Sequence, residues 1–318
     1  MTILKLNLMI GLLTRILFVR WRIWYAVVTG ANRGIGLEIC RKLASNGIVV
    51  LLTSRDEKRG LEAVQNLVSS GLSHDLVVFH QLDVVDPDSI ASLAEFIKSQ
   101  FGKLDILVNN AGISAVSFDT DVLQKAANIC DGWPDGVQVS WNEIARQEID
   151  LTEKCLDTNY YAAKRMVEAL LPLLESSDSA RIVNVSSRLG YLQKIPSEWA
   201  KGVLNDVENL CEERIDEVVN KFRNDTKDDT LEDNGWPIHF SAYTISKAAL
   251  NAYTRILAKR YPSFRVNCLC PGFCKTDMTN NVGMLTSAQG AEHTVRLALL
   301  PSDGPSGCFF VEKEMCNF

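Results

Sequence analysis

Short apolar runs alternate with longer amphipathic stretches from residue 25 to the end of the chain. Each run has four to seven residues, a length typical of strands that are buried on both faces of a sheet. The stretches between them have helical periodicity and end near residues 46, 70, 100, 174, 260 and 300. The predicted strands are 25–28, 48–53, 76–82, 104–108, 181–185, 264–269 and 308–311.

This alternation predicts a doubly wound α/β fold of the Rossmann type. We expect a mostly parallel sheet of seven strands with helices on both faces, and a helical insertion before Tyr243. In open sheets of this kind, ligands bind outside the carboxyl ends of the strands. The residues that end each apolar run are therefore the first candidates for chemistry.

Two long connections interrupt the alternation, at about residues 113–152 and 190–240. The second has apolar residues at helical spacing and predicts one or two amphipathic helices, whose apolar face we expect to cover the neighbouring cleft. The apolar positions are Trp199, Val203, Leu204, Val207, Leu210, Cys211, Ile215, Val218, Val219 and Phe222. We also expect an apolar pocket lined by one or more aromatic residues, with no preference among Trp133, Trp141, Trp199 and Phe273.

Residues 1–22 form an atypical leader that is apolar and basic. Lys5 and Arg15 leave only nine uncharged residues between them, fewer than a membrane-spanning helix needs. No small-residue cleavage site precedes Tyr25, so a secretory signal is not supported. We expect residues 23–318 to form a single cytoplasmic domain. A transit peptide, a weak membrane association and a misassigned start codon are the alternatives for the leader.

The composition is that of a soluble globular protein, with 47% apolar residues, 23% charged residues and a net charge of −6. It excludes a disordered chain, a fibre and a protein with many membrane spans, and the acidic balance argues against nucleic acid as the main partner. Nine scattered cysteines include no Cys-x-x-Cys pair and suit a reducing compartment. Four histidines include no His-Glu-x-x-His, so we predict no metal site.

The turn after the first predicted strand is rich in glycine and spans Thr29 to Gly36, with the sequence TGANRGIG. A dinucleotide pyrophosphate binds the free amides of a helix N-terminus where no side chain obstructs it. Gly30 would permit the sharp turn, Gly34 would admit the phosphates and Gly36 would allow close helix packing. Glycine-rich turns are often only tight turns, but the position of this one after the first strand predicts a dinucleotide site.

The end of the second predicted strand indicates which dinucleotide binds. NAD enzymes place an acid there to bind the ribose 2′-hydroxyl. This chain has Ser54 and Arg55 instead, and Arg33 lies in the glycine-rich turn. The two arginines would pair with a 2′-phosphate through charge-assisted hydrogen bonds, so we predict NADPH. NAD remains an alternative cofactor because an acidic residue, Asp56, directly follows Arg55. The alternative interpretation of the two arginines is that they are solvated charges on the protein surface.

Tyr243 and Lys247 lie four positions apart on a predicted helix, which places a phenol and an ammonium on one face. A neighbouring cation would lower the pKa of the tyrosine and make its proton transferable near neutrality. On its own, a tyrosine and a lysine at this spacing are usually a pair of side chains on the protein surface without a catalytic role. Ser187, however, ends the fifth predicted strand, where its hydroxyl could bind a substrate carbonyl.

These elements together resemble the short-chain dehydrogenase/reductase family. The matching elements follow the family's order over about residues 25–318 and are Thr29–Gly36, the corner at 82–84, Asn109 to Gly112, Asn159, Ser187, Tyr243 with Lys247, and Pro271 with Gly272. The resemblance implies that Tyr243 is the general acid and that Ser187 polarises the carbonyl oxygen. Ser187 is preferred to Ser186 because the family's catalytic serine is usually the second of such a pair. Lys247 would lower the tyrosine pKa and bind the nicotinamide ribose.

The resemblance also implies roles for residues around this centre. Asn159 would hold a water in the proton relay, Asp83 would meet the adenine and Thr276 would touch the carboxamide end of the cofactor. The full set implied to bind the cofactor is Gly30, Asn32, Arg33, Gly34, Ile35, Gly36, Arg55, Asp83, Val84, Asn110, Ala111, Gly112, Tyr243, Lys247, Pro271, Gly272 and Thr276.

Within the family, the long insertion and the carboxyl-terminal sequence resemble the plant reductases typified by neomenthol dehydrogenase and salutaridine reductase. That resemblance implies a monomeric, NADPH-dependent reductase of a hydrophobic ketone or aldehyde, such as a menthone-like terpenoid or an alkaloid ketone. Some of those relatives reduce a carbon–carbon double bond and carry glutamate in place of the tyrosine, so the intact Tyr243 favours carbonyl reduction. The alternatives are a broad-specificity aldehyde and ketone reductase and an NADPH-binding protein without activity.

Overall fold

The structure is a computed structural model that describes residues 23–119, 121–122 and 145–317. The leader, Trp133 and Trp141 lie outside the described residues. The limits of the leader and of the single domain, the monomeric state and the cytoplasmic location stay predictions. Within the described part of the chain, no helix is both long enough and apolar enough to cross a membrane.

Ten short strands form one large sheet and one small ribbon among the described residues. In chain order they are β1 Tyr25–Val28, β2 Val49–Ser54, β3 Val77–Gln81, β4 Ile106–Asn109, β5 Val116–Phe118, β6 Ala145–Gln147, β7 Arg181–Val185, β8 Arg265–Cys270, β9 Phe309–Val311 and β10 Glu314–Cys316. The large sheet has the order β10-β9-β8-β7-β4-β1-β2-β3, and β5 pairs with β6 in an antiparallel ribbon.

The predicted mostly parallel sheet is confirmed, with eight strands where the apolar runs predicted seven. The seven strands from β9 to β3 in this order pair in parallel. β10 extends the sheet at its edge by pairing antiparallel to β9. The chain reverses at Glu312, which has a left-handed φ of 54°. β10 was not predicted because two of its three residues are exposed and the strand forms no apolar run.

The helices alternate with the strands as the periodicity predicted. They are α1 Gly34–Ser45, α2 Glu57–Ser69, α3 Pro87–Gln100, α4 Thr152–Leu156, α5 Ala162–Glu175, α6 Glu198–Asn205, α7 Glu212–Lys227, α8 Ser241–Arg260 and α9 Ser287–Ala298. A π-helical turn, Asp157–Tyr161, joins α4 to α5 and interrupts the long helix that was predicted over 153–174.

Alternate residues of the strands face two cores on opposite sides of the sheet, as the period of a strand requires. Val27 points into the core that contains α3, α5, α7 and α8. Ala26 and Val28 point into the core that contains α1, α2 and α9. Both faces of the sheet are therefore covered, which leaves the carboxyl ends of the parallel strands as the open edge for a site.

The insertion before Tyr243 forms α6 and α7, but these helices do not cover the cleft. The apolar side of α7, which includes Val218 and Phe222, is fully buried in the core beneath α8. Trp199 and Val207 are 37% and 50% exposed, so they do not belong to the buried face that the spacing predicted. The expectation of a cover is wrong for these helices because they pack against α8 and bury their apolar residues there.

Polar contacts hold α7 in this position. Asp216 accepts hydrogen bonds from the Tyr160 hydroxyl at 2.8 Å and from Lys164 Nζ at 2.9 Å. Trp236 Nε1 donates to Asp225 Oδ2 at 2.6 Å. These two acidic residues of the insertion therefore bind side chains of the protein interior.

Candidate active site

A cleft of about 810 Å³ opens at the carboxyl ends of β1, β2, β4, β7 and β8. Every predicted site residue except Asn159 lines this cleft, from Gly30 and Arg55 at one end to Ser187 and Tyr243 at the other. The residues lie up to 246 positions apart in the chain, from 30 to 276. The parallel topology brings them together because each follows the end of a strand at the same edge.

The glycine-rich turn packs against the loop after β4. Gly30 has a φ of 63°, and a Cβ atom there would lie 3.0 Å from the Cα of Ala111. A Cβ atom at Gly36 would lie 2.6 Å from Asn110 Nδ2 and 2.7 Å from the carbonyl oxygen of Gly30. Asn110 Nδ2 also donates to the carbonyl oxygen of Thr29 at 2.9 Å, which ties the two loops together.

The first turn of α1 faces the cleft without a side-chain cap. Arg33 is the N-cap residue, its side chain makes no capping hydrogen bond, and the first turn contains no acidic residue. The first amides of a helix have no partner within the helix, and the helix dipole makes this end attractive to anions. An uncapped helix N-terminus therefore faces the cleft beside Gly34 and Ile35, where the sequence predicted that the pyrophosphate binds.

The corner after β2 is basic. Arg55 lines the cleft and has no ion-pair partner among the described residues, whereas Arg33 pairs with Asp277 across the cleft mouth. Asp56, the residue that kept NAD as an alternative, caps α2 by accepting from the amide of Arg59 at 2.9 Å. Arg59 lies in the first turn of α2, also lines the cleft and was not predicted.

The remaining predicted cofactor residues line the walls of the cleft. Asp83 accepts from the amide of Val85 at 3.2 Å, which fixes the turn after β3. Gly272 has a φ of 88° after β8, and Thr276 comes within 3.4 Å of the position that a Cβ atom of Gly34 would take. Asn32, Val84, Gly112 and Pro271 complete the predicted set in the cleft.

Tyr243, Ser187 and Lys247 meet at the inner end of the cleft. A hydrogen bond joins the side chains of Tyr243 and Ser187. Lys247 Nζ donates to the carbonyl oxygen of Val185 at 2.9 Å and lies 5.5 Å from the centre of the Tyr243 ring. Ser186 also lines the cleft, but its hydroxyl donates to the backbone of Lys247 at 3.5 Å instead of contacting the tyrosine.

Burial is the largest influence on the pKa values of Tyr243 and Lys247. It raises the pKa of Tyr243, and the hydrogen bond from Ser187 only partly opposes that rise. Burial also lowers the pKa of Lys247 to about 8. The predicted lowering of the tyrosine pKa by Lys247 is not found here, because desolvation by burial is the largest influence on the pKa of the phenol. A raised pKa keeps the phenol protonated at neutral pH, as a proton donor requires.

Asn159 lies behind the cleft wall in the π-helical turn and is 2% exposed. Its Oδ1 accepts from the amide of Ile113 at 2.9 Å, and its Nδ2 donates to Ser246 Oγ at 2.9 Å. The side chain therefore ties the loop after β4 to α8. A water held by Asn159 would have to use the backbone carbonyl, which a π-helical turn frees from its usual i+4 partner.

The substrate end of the cleft contains aromatic residues, of which the sequence identified one. Phe273 lines the cleft, whereas Trp199 does not. Phe240 and Leu189 line it and were not predicted. The signal for Phe240 was its position three residues before Tyr243, but nothing in the local pattern distinguished it from the other residues of the insertion.

A sheet of this topology, with a glycine-rich anion site at one end of the cleft and a tyrosine–lysine–serine group at the other, defines a dinucleotide-dependent oxidoreductase fold. The family model described as short chain dehydrogenase matches residues 25–199, and the model described as Enoyl-(Acyl carrier protein) reductase matches residues 231–303. The chain belongs to the short-chain dehydrogenase/reductase family.

Among known proteins, the (+)-neomenthol dehydrogenase of Arabidopsis thaliana is 57% identical over 296 residues, which cover 92% of this chain and 98% of that protein. The solved structure of salutaridine reductase from Papaver somniferum is 50% identical and superposes with a TM-score of 0.82, covering 91% of this chain and 99% of that one. Carbonyl reductase (NADPH) 3 of Mus musculus is 38% identical, covering 87% of this chain and 91% of that protein. The resemblance to plant ketone reductases inferred from the sequence is confirmed.

Proposed function

We propose that this protein is an NADPH-dependent carbonyl reductase that acts on a hydrophobic ketone or aldehyde, with Tyr243 as the general acid. The observation that carries the proposal is the hydrogen-bonded pair of Tyr243 and Ser187, buried beside Lys247 at the inner end of a dinucleotide-sized cleft. The named activities of the plant dehydrogenase, the plant reductase and the mouse carbonyl reductase support it.

The residues of the cleft fit a nicotinamide dinucleotide. Side chains at Gly30 and Gly36 would collide with the loop after β4, so the backbone there forms an open cradle at the free amides of α1. Gly30 to Gly36 would hold the pyrophosphate, Asp83 and Val84 would hold the adenine, and Lys247 and Thr276 would hold the nicotinamide end. When bound, the dihydronicotinamide supplies the hydride that reduces the carbonyl carbon.

The chain's own residues would manage the proton and the carbonyl oxygen. Ser187 and Tyr243 share a hydrogen bond, so an oxygen placed between the two hydroxyls can accept from both. Tyr243 would give its proton to that oxygen as negative charge develops on it. Lys247 uses one of its three protons on the carbonyl of Val185, which leaves donors for the ribose, and its positive charge favours the phenolate that remains.

Two arginines at the corner after β2, Arg55 and Arg59, support NADPH as the cofactor. Arg55 is without an ion-pair partner among the described residues, and Asp56 is engaged as the cap of α2 and in an ion pair with Arg59 at 3.7 Å. The acid that would bind a ribose 2′-hydroxyl is thus occupied, while a guanidinium is available for a 2′-phosphate.

Arg55→Gln should raise the KM for NADPH by roughly tenfold and leave the KM for NADH nearly unchanged. The loss corresponds to one charge-assisted hydrogen bond to the 2′-phosphate. Steady-state kinetics with both cofactors measures the change. Lys58→Gln is the matched control because Lys58 lies three residues after Arg55, in the first turn of α2, and its positive charge does not line the cleft. An equal effect of Arg55→Gln on both cofactors would remove the basis for a 2′-phosphate contact.

The proposed activity is tested by following NADPH oxidation at 340 nm with a panel of carbonyls that contains menthone, a larger alkaloid-like ketone and small aldehydes. We expect turnover of the cyclic ketones at higher kcat/KM than the small aldehydes. Comparable efficiency across the panel would favour the alternative of a broad-specificity detoxifying reductase. Binding of NADPH without turnover of any carbonyl would refute the enzyme and favour the non-enzymatic alternative.

A further inference from the structure

We propose that Asp277 adjusts the cofactor specificity of this site, because its carboxylate competes with the 2′-phosphate of NADPH for the guanidinium of Arg33. The inference rests on the proposed use of NADPH and goes beyond it by assigning a role to an acidic residue in an anion-binding cleft. It is carried by the ion pair across the cleft mouth, by the places of the two residues in the sheet and by their exposure.

Asp277 is an acidic residue in a cleft that fits a polyanion. Three acids line the cleft, namely Asp56, Asp83 and Asp277. Asp56 and Asp83 each accept a hydrogen bond from a backbone amide and so shape the chain around them. Within the described part of the chain, the carboxylate of Asp277 accepts from no backbone amide, and its partner is Arg33. A phosphate beside Asp277 would be a like charge, so this residue opposes the binding of an anion unless Arg33 neutralises it.

The turn that carries Asp277 is held by other side chains. Residues Asp277–Thr279 form a short 3₁₀ turn directly after Thr276. Thr279 Oγ1 accepts from the amide of Thr276 at 3.2 Å and donates to the carbonyl oxygen of Cys274 at 2.7 Å. A neutral residue of the same shape at position 277 should therefore leave the turn in place, and only the charge would change.

The ion pair draws Arg33 toward one side of the sheet. Arg33 follows β1 and Asp277 lies in the loop after β8, whereas Arg55 follows β2. In the order of the strands, β2 and β8 lie on opposite sides of β1. A guanidinium that pairs with Asp277 is therefore directed away from the corner after β2, where the proposed contacts to the 2′-phosphate lie. Arg33 has to leave Asp277 before it can join Arg55 on that phosphate.

The ion pair is exposed, which makes it weak enough to be displaced. The side chains of Arg33 and Asp277 are 62% and 57% exposed. Ion pairs of this kind contribute little because water and salt screen them. A phosphate monoester carries nearly two negative charges at neutral pH, so the 2′-phosphate of NADPH can displace the carboxylate. NADH lacks this phosphate and leaves the pair intact, so Asp277 weakens the binding of NADPH more than that of NADH.

The experiment compares the parent protein with Asp277→Asn, Asp277→Glu, Arg33→Gln and the double variant Arg33→Gln/Asp277→Asn. Fluorescence titration measures the Kd of each protein for NADPH and for NADH without a carbonyl substrate. We expect Asp277→Asn to increase the ratio of the Kd for NADH to the Kd for NADPH by about three- to fivefold, the upper part of the range for an exposed ion pair. Asp277→Glu keeps the carboxylate and should keep the ratio within about 1.5-fold of the parent's.

The double variant shows whether Asp277 acts through Arg33. Without Arg33 the carboxylate has no guanidinium to withhold, so adding Asp277→Asn to Arg33→Gln should change the ratio of the two Kd values by less than about 1.5-fold. Asp88→Asn is the matched control for the loss of one negative charge, since Asp88 is exposed in the first turn of α3 and does not line the cleft. It should leave the ratio at the parent's value.

The inference is overturned if Asp277→Asn leaves the ratio at the parent's value, or if it changes the ratio equally with and without Arg33. In either case a parent protein that prefers NADPH and oxidises it with a ketone keeps the proposed function intact. A parent protein that binds NADH as tightly as NADPH refutes the proposed cofactor, and this inference falls with it.

Discussion

Replacing Tyr243 by phenylalanine should lower kcat for ketone reduction by about 10³-fold, the middle of the range for losing a positioned general acid. The ring stays in place and only the hydroxyl that bonds to Ser187 is removed, so the fold and the cofactor cradle should persist. NADPH oxidation with menthone measures the loss. Titration of NADPH by fluorescence should give a Kd within about twofold of the parent's, since no predicted phosphate contact changes.

Tyr191→Phe is the matched control for this result. Tyr191 lies close to the site and packs against Phe309 at a ring distance of 5.4 Å, but it does not line the cleft. Removing its hydroxyl should leave kcat within about twofold of the parent's. If Tyr243→Phe reduces menthone as fast as the parent does, the proton comes from another group and the proposed mechanism is wrong.

Replacing Lys247 by methionine should abolish most of the activity and at the same time stabilise the fold at neutral pH. The activity falls because the cation beside Tyr243 and the donor for the ribose are both lost, which we expect to cost at least 10²-fold in kcat/KM. The stability rises because burial lowers the pKa of Lys247 from 10.5 to about 8, so its charge costs about 3 kcal/mol at pH 7. The carbonyl of Val185 loses its hydrogen-bond donor, and this loss offsets about 1 kcal/mol or more of the expected stabilisation.

The lowered pKa of Lys247 also predicts how the stability of the parent protein changes with pH. The unfolded chain binds more protons at Lys247 than the folded chain between pH 8 and 10.5, so the parent's stability rises across that window. The difference in melting temperature between Lys247→Met and the parent should thus be positive at pH 7 and shrink as the pH passes from 8 toward 10.5. If Lys247→Met melts at a lower temperature than the parent at pH 7, the charge of Lys247 does not destabilise the folded state.

The same pKa predicts the activity of the parent protein at alkaline pH. Lys247 loses its charge as the pH rises through about 8, so kcat/KM for reduction should decline above that value if the ammonium supports proton transfer. Tyr243 stays protonated throughout because burial raises its pKa. A profile that is flat up to pH 10 would contradict a role for the lysine charge.

Local pattern was sufficient for the framework and for the location of the site. The helical stretch predicted to end near residue 100 is α3, which ends at Gln100, and the strand predicted at 181–185 is β7. Burial on both faces of a parallel sheet requires continuous apolar runs, so the strands can be read without knowing their neighbours. The site residues follow these strands, and a parallel sheet places all the carboxyl ends at one edge, which is why residues from Gly30 to Thr276 line one cleft.

Contacts between residues far apart in the chain determine the features that the local pattern could not predict. The spacing of apolar residues predicted α6 and α7 but could not tell whether the cleft or the outer side of α8 would bury them, because both surfaces are apolar and only the folded chain shows which is adjacent. Arg33 pairs with Asp277, 244 residues away, and Asp56 is engaged as a cap, which together leave Arg55 as the available guanidinium.

The electrostatics and the backbone of the centre are likewise properties of the folded molecule. Tyr243 and Lys247 at a four-residue spacing predict a lowered tyrosine pKa, yet the pKa rises because surrounding elements bury the phenol and desolvate it. Phe240 has no local reason to adopt a left-handed backbone, and its conformation is enforced only by the packing around it. Periodicity and motifs therefore identify the family and the residues of the site, while burial and long-range contacts determine how those residues titrate, pair and shape the pocket.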